Sequence, residues 1–209
     1  ATLALSPASS NVTIGNTFTV SVILNTGGQA TAGSDAYINY NPQDLEVQDA
    51  LSGTNGVQIQ PGTLYAQTTW NNVNTTTGKI IFSGSVNSGA AGYNGTGTLA
   101  SITFKALRTA NPSAVSFDFT LGATNDSNVI LKTTGTDITD LLDSVVNGSY
   151  VLAPSDVPAT VKIQLQGRSN KADTTNTNIE VRNIGQTLPL FQKNNLSTDI
   201  AGTGTFTIS

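Results

Sequence analysis

The chain has 209 residues, with 9 Lys or Arg against 13 Asp or Glu and a net charge of −4, and it contains neither Cys nor His. That length holds one large β domain, or a domain of about 150 residues with a smaller module beside it. The missing residue types exclude disulfide staples, Ser-His and Cys-His nucleophiles and the usual zinc ligand sets, while the acidic balance gives nucleic acid no electrostatic footing.

Charged residues make up only 11% of the chain, well below the ~25% usual in soluble domains. Solubility therefore rests on Thr, Asn, Ser, Gln and Gly. Thr-rich polar faces suit strands, because β-branched side chains fit a pleated surface. Glu46 and Glu180 are the two glutamates, which leaves little for paired-carboxylate hydrolysis. The chain is not expected to be an enzyme.

Apolar residues alternate along most of its length. Phe18, Val20, Val22 and Leu24 alternate with Thr17, Thr19, Ser21 and Ile23, between Gly15-Asn16 and Gly27-Gly28. Ala36, Ile38 and Tyr40 alternate with Asp35, Tyr37 and Asn39, and this run stops at Asn41-Pro42. Leu45 with Val47, Ile80 with Phe82, Leu99 through Phe104, Val115 through Phe119, Val129–Leu131 and Tyr150–Leu152 follow in the same style. Period two with turn residues between the runs marks short half-buried strands. About nine of them predict an all-β, antiparallel jelly-roll sandwich of two sheets over residues 1–153. One stretch departs: Leu141 and Leu142 follow Ile138 at spacings of three and four, with Asp137 placed to cap, which predicts a short helix over Asp137–Val145.

Residues 154–158 carry two prolines and read as a linker. Alternation resumes at Val161, Ile163 and Leu165 and continues at Ile179, Val181, Leu188–Phe191, Phe206 and Ile208. Residues 159–209 hold only three or four strands, too few for a closed sheet, so a second, small, incomplete β module is expected there. Its open edge offers a place for self-assembly by strand addition.

Five segments in order resemble the cohesin family. Val12-Thr13-Ile14-Gly15-Asn16-Thr17-Phe18-Thr19-Val20 is similar to its entry strand, and Ser34 through Asn41-Pro42-Gln43-Asp44-Leu45-Glu46-Val47 to its strand running into Tyr-Asp-Pro and Leu-Glu-Val. Gly78-Lys79-Ile80, Gly97 through Ala100-Ser101-Ile102-Thr103-Phe104-Lys105 and Gly148-Ser149-Tyr150 also stand where the family has counterparts. The resemblance implies an extracellular or cell-surface adaptor that binds a dockerin-like protein without catalysis. Residues 160–209, from Val161-Lys162-Ile163-Gln164-Leu165-Gln166-Gly167-Arg168-Ser169, resemble the start of a carboxypeptidase-regulatory-like, transthyretin-like (Ig-like) module.

Asp35 falls where cohesins place an acidic residue that contacts a dockerin helix. Alternation independently turns Asp35, Tyr37 and Asn39 away from the side of Ala36, Ile38 and Tyr40. Ile81 and Ser83, out of phase with Ile80 and Phe82, and Asp118, out of phase with Phe117 and Phe119, complete the expected partner-binding set. A face with an aromatic, an amide and carboxylates suits a protein partner, and an ordinary polar outer face would show the same pattern. Trp70, the single tryptophan, reads first as a core or rim residue. Its alternative role is a platform for carbohydrate, which makes a polysaccharide-binding module the second functional reading; the open edge of the incomplete module makes a structural subunit of a surface layer or fibre the third. Asp137, Asp140 and Asp143 would share one side of the expected helix. Their oxygens suit calcium, but a solvated helix face with an N-cap is the favoured reading, and no other cofactor is expected.

Overall fold

The computed structural model describes residues 1–134 and 138–155 in full, and beyond them the backbone of four strands. The chain divides into two units, Ala1–Pro154 and Ser155–Ser209.

Among the described residues the first unit is a sandwich of thirteen strands. In chain order they are β1 (Thr2–Ser6), β2 (Ser9–Thr13), β3 (Thr17–Asn25), β4 (Thr31–Tyr40), β5 (Leu45–Val47), β6 (Gln60–Pro61) and β7 (Gln67–Asn74). Then come β8 (Lys79–Ser85), β9 (Thr96–Ala106), β10 (Ala110–Phe117), β11 (Asn128–Leu131), β12 (Ser144–Val146) and β13 (Gly148–Ala153). The first sheet runs β12-β1-β3-β9-β5, with β6 also on β9; the second runs β2-β13-β10-β4-β8-β7, with β11 also on β4. Most pairs are antiparallel, but β1 with β12 and β2 with β13 are parallel.

The alternation seen in the sequence is the alternation that folds. Val20, Val22 and Leu24 of β3 are fully buried, as are Ala36 and Ile38 of β4, Ile80 of β8 and Ile102 and Phe104 of β9. Burying each such side chain contributes roughly 1.5–3 kcal/mol. Rings from opposite sheets meet across the core, Tyr40 on Phe104 at 5.5 Å and Phe18 on Tyr150 at 5.0 Å between centroids. In β9 the adjacent Leu99 and Ala100 are both buried. The β3–β9 register slips there, with Val22 opposite Ala100 and Ile23 opposite Thr98, so Leu99 is the extra residue of a bulge.

The Asn41-Pro42-Gln43-Asp44 turn is held by its own side chains. Asn41 Oδ1 accepts the Gln43 N–H at 3.0 Å, and Asn41 Nδ2 donates to Asp44 Oδ2 at 2.9 Å. Asp44 is buried, and its carboxylate also accepts from Arg108 Nε at 2.7 Å and Ser113 Oγ at 3.2 Å. One carboxylate thus joins the end of β4 to the β9–β10 connection. Beside it, Gly78 has φ of 71°, and a Cβ there would lie 2.0 Å from the Tyr40 carbonyl oxygen. Only glycine lets the β7–β8 turn press against the end of β4.

The expected helix over Asp137–Val145 does not form. Asp137 lies outside the described residues; after it, Asp140 Oδ1 accepts the N–H of Val129 at 2.9 Å and of Leu142 at 3.0 Å, while Ser144–Val146 is a strand on β1. Ile138 is 79% exposed whereas Leu142 is buried, so the spacing that suggested a helical face is not a face at all. Sheet pairing and a capping carboxylate supply the backbone partners a two-turn helix would have left unsatisfied at its ends.

In the second unit, β14 (Val157–Lys162) pairs antiparallel with β17 (Thr203–Ile208), and β15 (Ile179–Val181) with β16 (Phe191–Lys193). The start of β14 takes in the last residues of the expected linker. Ile163, Leu165, Leu188 and the Gln164–Ser169 segment lie outside the described residues, and with them most of the stretch behind the transthyretin-like resemblance.

Candidate protein-binding face

Strand β4 is the interior strand that carries the candidate residues. Its side toward the core is filled by Ala36, Ile38 and Tyr40, so Asp35, Tyr37 and Asn39 face outward. On β8, Ser83 lies opposite Asp35, Ile81 opposite Tyr37 and Lys79 opposite Asn39. On β7, Trp70 lies opposite Ser83, Asn72 opposite Ile81 and Asn74 opposite Lys79. Rows of outward residues cross three neighbouring strands, and side chains directly opposite in a sheet are within contact range.

Asp118 joins this face from the loop after β10. Its carboxylate takes the Lys79 ammonium at 3.1 Å, and that ammonium lies 5.6 Å from the centre of the Tyr37 ring. Both partners of the ion pair are well exposed, so its worth is about 0–1 kcal/mol; its role is to orient Lys79 over the ring. The six residues singled out from the sequence, Asp35, Tyr37, Asn39, Ile81, Ser83 and Asp118, therefore gather on one surface.

Trp70 belongs to the same surface. It is 57% exposed, on the edge strand β7, and with Tyr37, Thr69, Ile81 and Ser83 it lines a shallow depression of about 450 Å³. This is a rim position rather than a core one. A second recess of about 470 Å³ lies next to Asp35 and is lined by Thr124, Asn128, Ile130, Ile138 and Asp140 as well as Asp35 itself. Burial pushes the Asp35 carboxyl up from the ordinary carboxylate range; a hydrogen bond from Ser83 opposes this, and the nearby Asp140 charge adds to it.

Two residues that support this surface, the fully buried Ser127 and the partly buried Asp140, escape the alternation rule. Ser127 sits where β4 changes partner, from β10 at Ile38–Tyr40 to β11 at Thr31–Asp35. Its hydroxyl accepts the Tyr37 N–H at 3.0 Å and donates to the Tyr37 carbonyl at 3.1 Å, and the Asp118 N–H reaches the same carbonyl at 2.8 Å. Asp140 arrives through an isolated bridge to Ile130. No local pattern signals either contact.

Of the expected carboxylate trio, Asp137 lies outside the described residues, and Asp140 and Asp143 do not stand on a helix. Asp140 caps backbone N–H groups, and Asp143 Oδ2 accepts the Ala1 amino group at 2.8 Å. Among the described residues no three His, Cys, Asp or Glu are gathered to hold a metal ion.

Comparison with known proteins gives the sandwich a family. Residues 3–139 match the model of the cohesin domain. The fold is similar to the seventh ScaB type I cohesin from Pseudobacteroides cellulosolvens, with a TM-score of 0.55 at 18% identity over 74% of this chain and 92% of that one. It is similar to CaCohA2 from Clostridium acetobutylicum, with a TM-score of 0.55 at 20% identity over 73% and 91% of the two chains. It is also similar to the Coh-OlpC–Doc435 complex, a type I cohesin–dockerin complex from Clostridium thermocellum, at 0.54 and 13% over 74% and 94%. A search of curated protein sequences gives no match. At such identities the structural likeness speaks for the fold alone, but the family model spans well over half of the residues, and the chain belongs to the cohesin family.

Proposed function

We propose that the first unit is a non-catalytic adaptor that docks a dockerin-bearing protein on the outer face of its second sheet, within an extracellular or cell-surface assembly. The observation that carries this reading is the convergence of Asp35, Tyr37, Ile81, Ser83 and Trp70 on adjacent strands of a cohesin sandwich. An exposed tryptophan, a tyrosine and an isoleucine next to a partly desolvated carboxylate is the composition of an interface centre rather than of a plain solvated sheet. The Clostridium thermocellum neighbour, solved as a cohesin–dockerin complex, supports the choice of partner.

Isothermal titration of the whole chain against a panel of purified dockerins tests it. Binding by at least one dockerin that is lost in Tyr37→Ala is the expected result. Undiminished binding by both Tyr37→Ala and Asp35→Ala would remove this face from the interface.

Polysaccharide binding is the second reading, favoured by the exposure of Trp70 beside Tyr37. Lys79 over the Tyr37 ring stands against it, because a sugar needs that aromatic surface open. Saturable binding on a glycan array that disappears in Trp70→Ala would promote it.

A further inference from the structure

The recess next to Asp35 makes a specific demand on whatever docks there. Its walls are chemically divided. Ile130 and the strongly exposed Ile138 supply an apolar side, while Asp35, Asp140 and the amide of Asn128 supply a polar one. Among the described residues, no Lys or Arg lines it. The cation of this face, Lys79, is engaged by Asp118 at 3.1 Å and by the Tyr37 ring. Two carboxylates with no cation of their own in the recess, flanked by bare hydrocarbon, match a side chain with an apolar stem and a cationic head. A carboxylate would meet repulsion at Asp35 and Asp140, a neutral donor could bond one of them but would leave the paired negative charge unbalanced, and a purely apolar group would strip water from them without return.

We infer that the partner seats one basic side chain, arginine in preference to lysine, in the recess between Asp35 and Asp140, with its stem against Ile130 and Ile138. Arginine is preferred because its planar fork reaches two acceptors at once and sheds water more readily than an ammonium. The raised titration of Asp35 agrees, since a cation seated there offsets both the desolvation of the carboxylate and the repulsion from Asp140. This rests on the docking reading above for its partner, but the recess itself can be probed without one.

The first arm uses the whole chain and n-butylguanidinium, with methyl NMR on Ile130 and Ile138. Saturable shifts of both methyls at millimolar probe in the wild type, absent in Asp140→Asn, support the inference; no shift in the wild type overturns it. The Asn variant keeps the oxygen that accepts the Val129 and Leu142 N–H groups, and an unchanged melting temperature certifies its fold. The second arm uses a dockerin that binds the wild type. Asp140→Asn is expected to weaken it at least about tenfold, and replacing one partner Arg by Met should add nothing further in that background. Affinity unchanged by Asp140→Asn but lost in Tyr37→Ala overturns the recess and leaves the docking face standing. Guanidinium binding with no dockerin bound by any variant sinks the docking reading and leaves the recess.

Discussion

The two outer faces of the sandwich are built by the same rule and differ in what they carry. On the first sheet the outward residues of β3 and β9 form a ladder of hydroxyls, with Thr19 on Thr103 at 3.1 Å and Ser21 on Ser101 at 3.4 Å. Each hydroxyl has a neighbour of its own kind, so the face is self-satisfied and uncharged across its middle. On the second sheet the corresponding positions hold Asp35, Tyr37, Ile81 and Trp70, which leave apolar area and charge directed at solvent. Alternation secures burial of the inner faces equally well in both cases. What sits on the outer positions is free of that requirement, and its uneven use is the reason the docking face is proposed on the second sheet.

The comparison is sharpest in binding. Combining Tyr37→Ala with Trp70→Ala should weaken a dockerin by about a hundredfold or more, as expected for the loss of two aromatic anchors. Removing a ladder pair with Ser21→Ala and Ser101→Ala should leave affinity as it was. Calorimetric titration of both double variants decides the matter, and equal losses would mean that the faces are not functionally distinct.

Next in size is Asp44→Ala, which acts on neither face but on the joint between strands that serves both. It leaves buried Ser113 and the Arg108 and Asn41 donors without their common acceptor. A loss of about 2–4 kcal/mol in chemical denaturation is expected. Dockerin affinity measured well below the unfolding midpoint should persist, which separates this variant from Tyr37→Ala.

Smaller still is Asp35→Asn, where the two properties should move in opposite directions. The folded protein holds the Asp35 carboxyl above its ordinary value of 3.8, mainly through burial. An acid whose folded pKa is raised costs the folded state stability once both states are ionised, and nothing when both are protonated. Asp35→Asn should therefore raise the melting temperature slightly at pH 7, with the gain fading as pH falls through the raised value and vanishing below the ordinary one. The same variant should bind a dockerin more weakly. A lower melting temperature at pH 7 would show that the carboxylate serves the fold rather than a partner. The smallest change belongs to Thr19→Ala, where a cross-strand pair worth roughly 0.2–1 kcal/mol is lost at no cost to binding.

Strands β3 and β4 were legible because each has three inward apolar residues in strict alternation, Val20, Val22 and Leu24 in the one and Ala36, Ile38 and Tyr40 in the other. Strand β7 was not legible. Its sequence Gln67-Thr68-Thr69-Trp70-Asn71-Asn72-Val73-Asn74 buries Val73 alone, since an edge strand needs little apolar payload. Strand β12 was mistaken for a helix because Ile138, Leu141 and Leu142 mimic helical spacing, although one of them is bare and the chain there is drawn into pairing with β1. The Asp35, Tyr37 and Asn39 side of β4 follows from period two. Its meeting with Trp70 depends on the β7–β8 hairpin register, including a shift between Thr68 and Trp70 that no short-range pattern encodes. Asp140 is more distant still in the chain from Asp35, and only the tertiary fold brings the two charges together.

The Ser127 joint at Tyr37 has a consequence for how such a face can change over evolutionary time. A strand bonded to a single continuous neighbour transmits any insertion in that neighbour along its whole length. Here β4 hands over from β10 to β11 at one residue, and a serine hydroxyl and one loop amide close the gap. The loop from Asp118 to Asp126 can therefore lengthen, shorten or trade residues between two fixed ends while β4, the bearer of Asp35 and Tyr37, stays in place. On the docking reading proposed above, that loop, whose Thr124 lines the recess beside Asp35, is where partner contacts can change with the strand held in place.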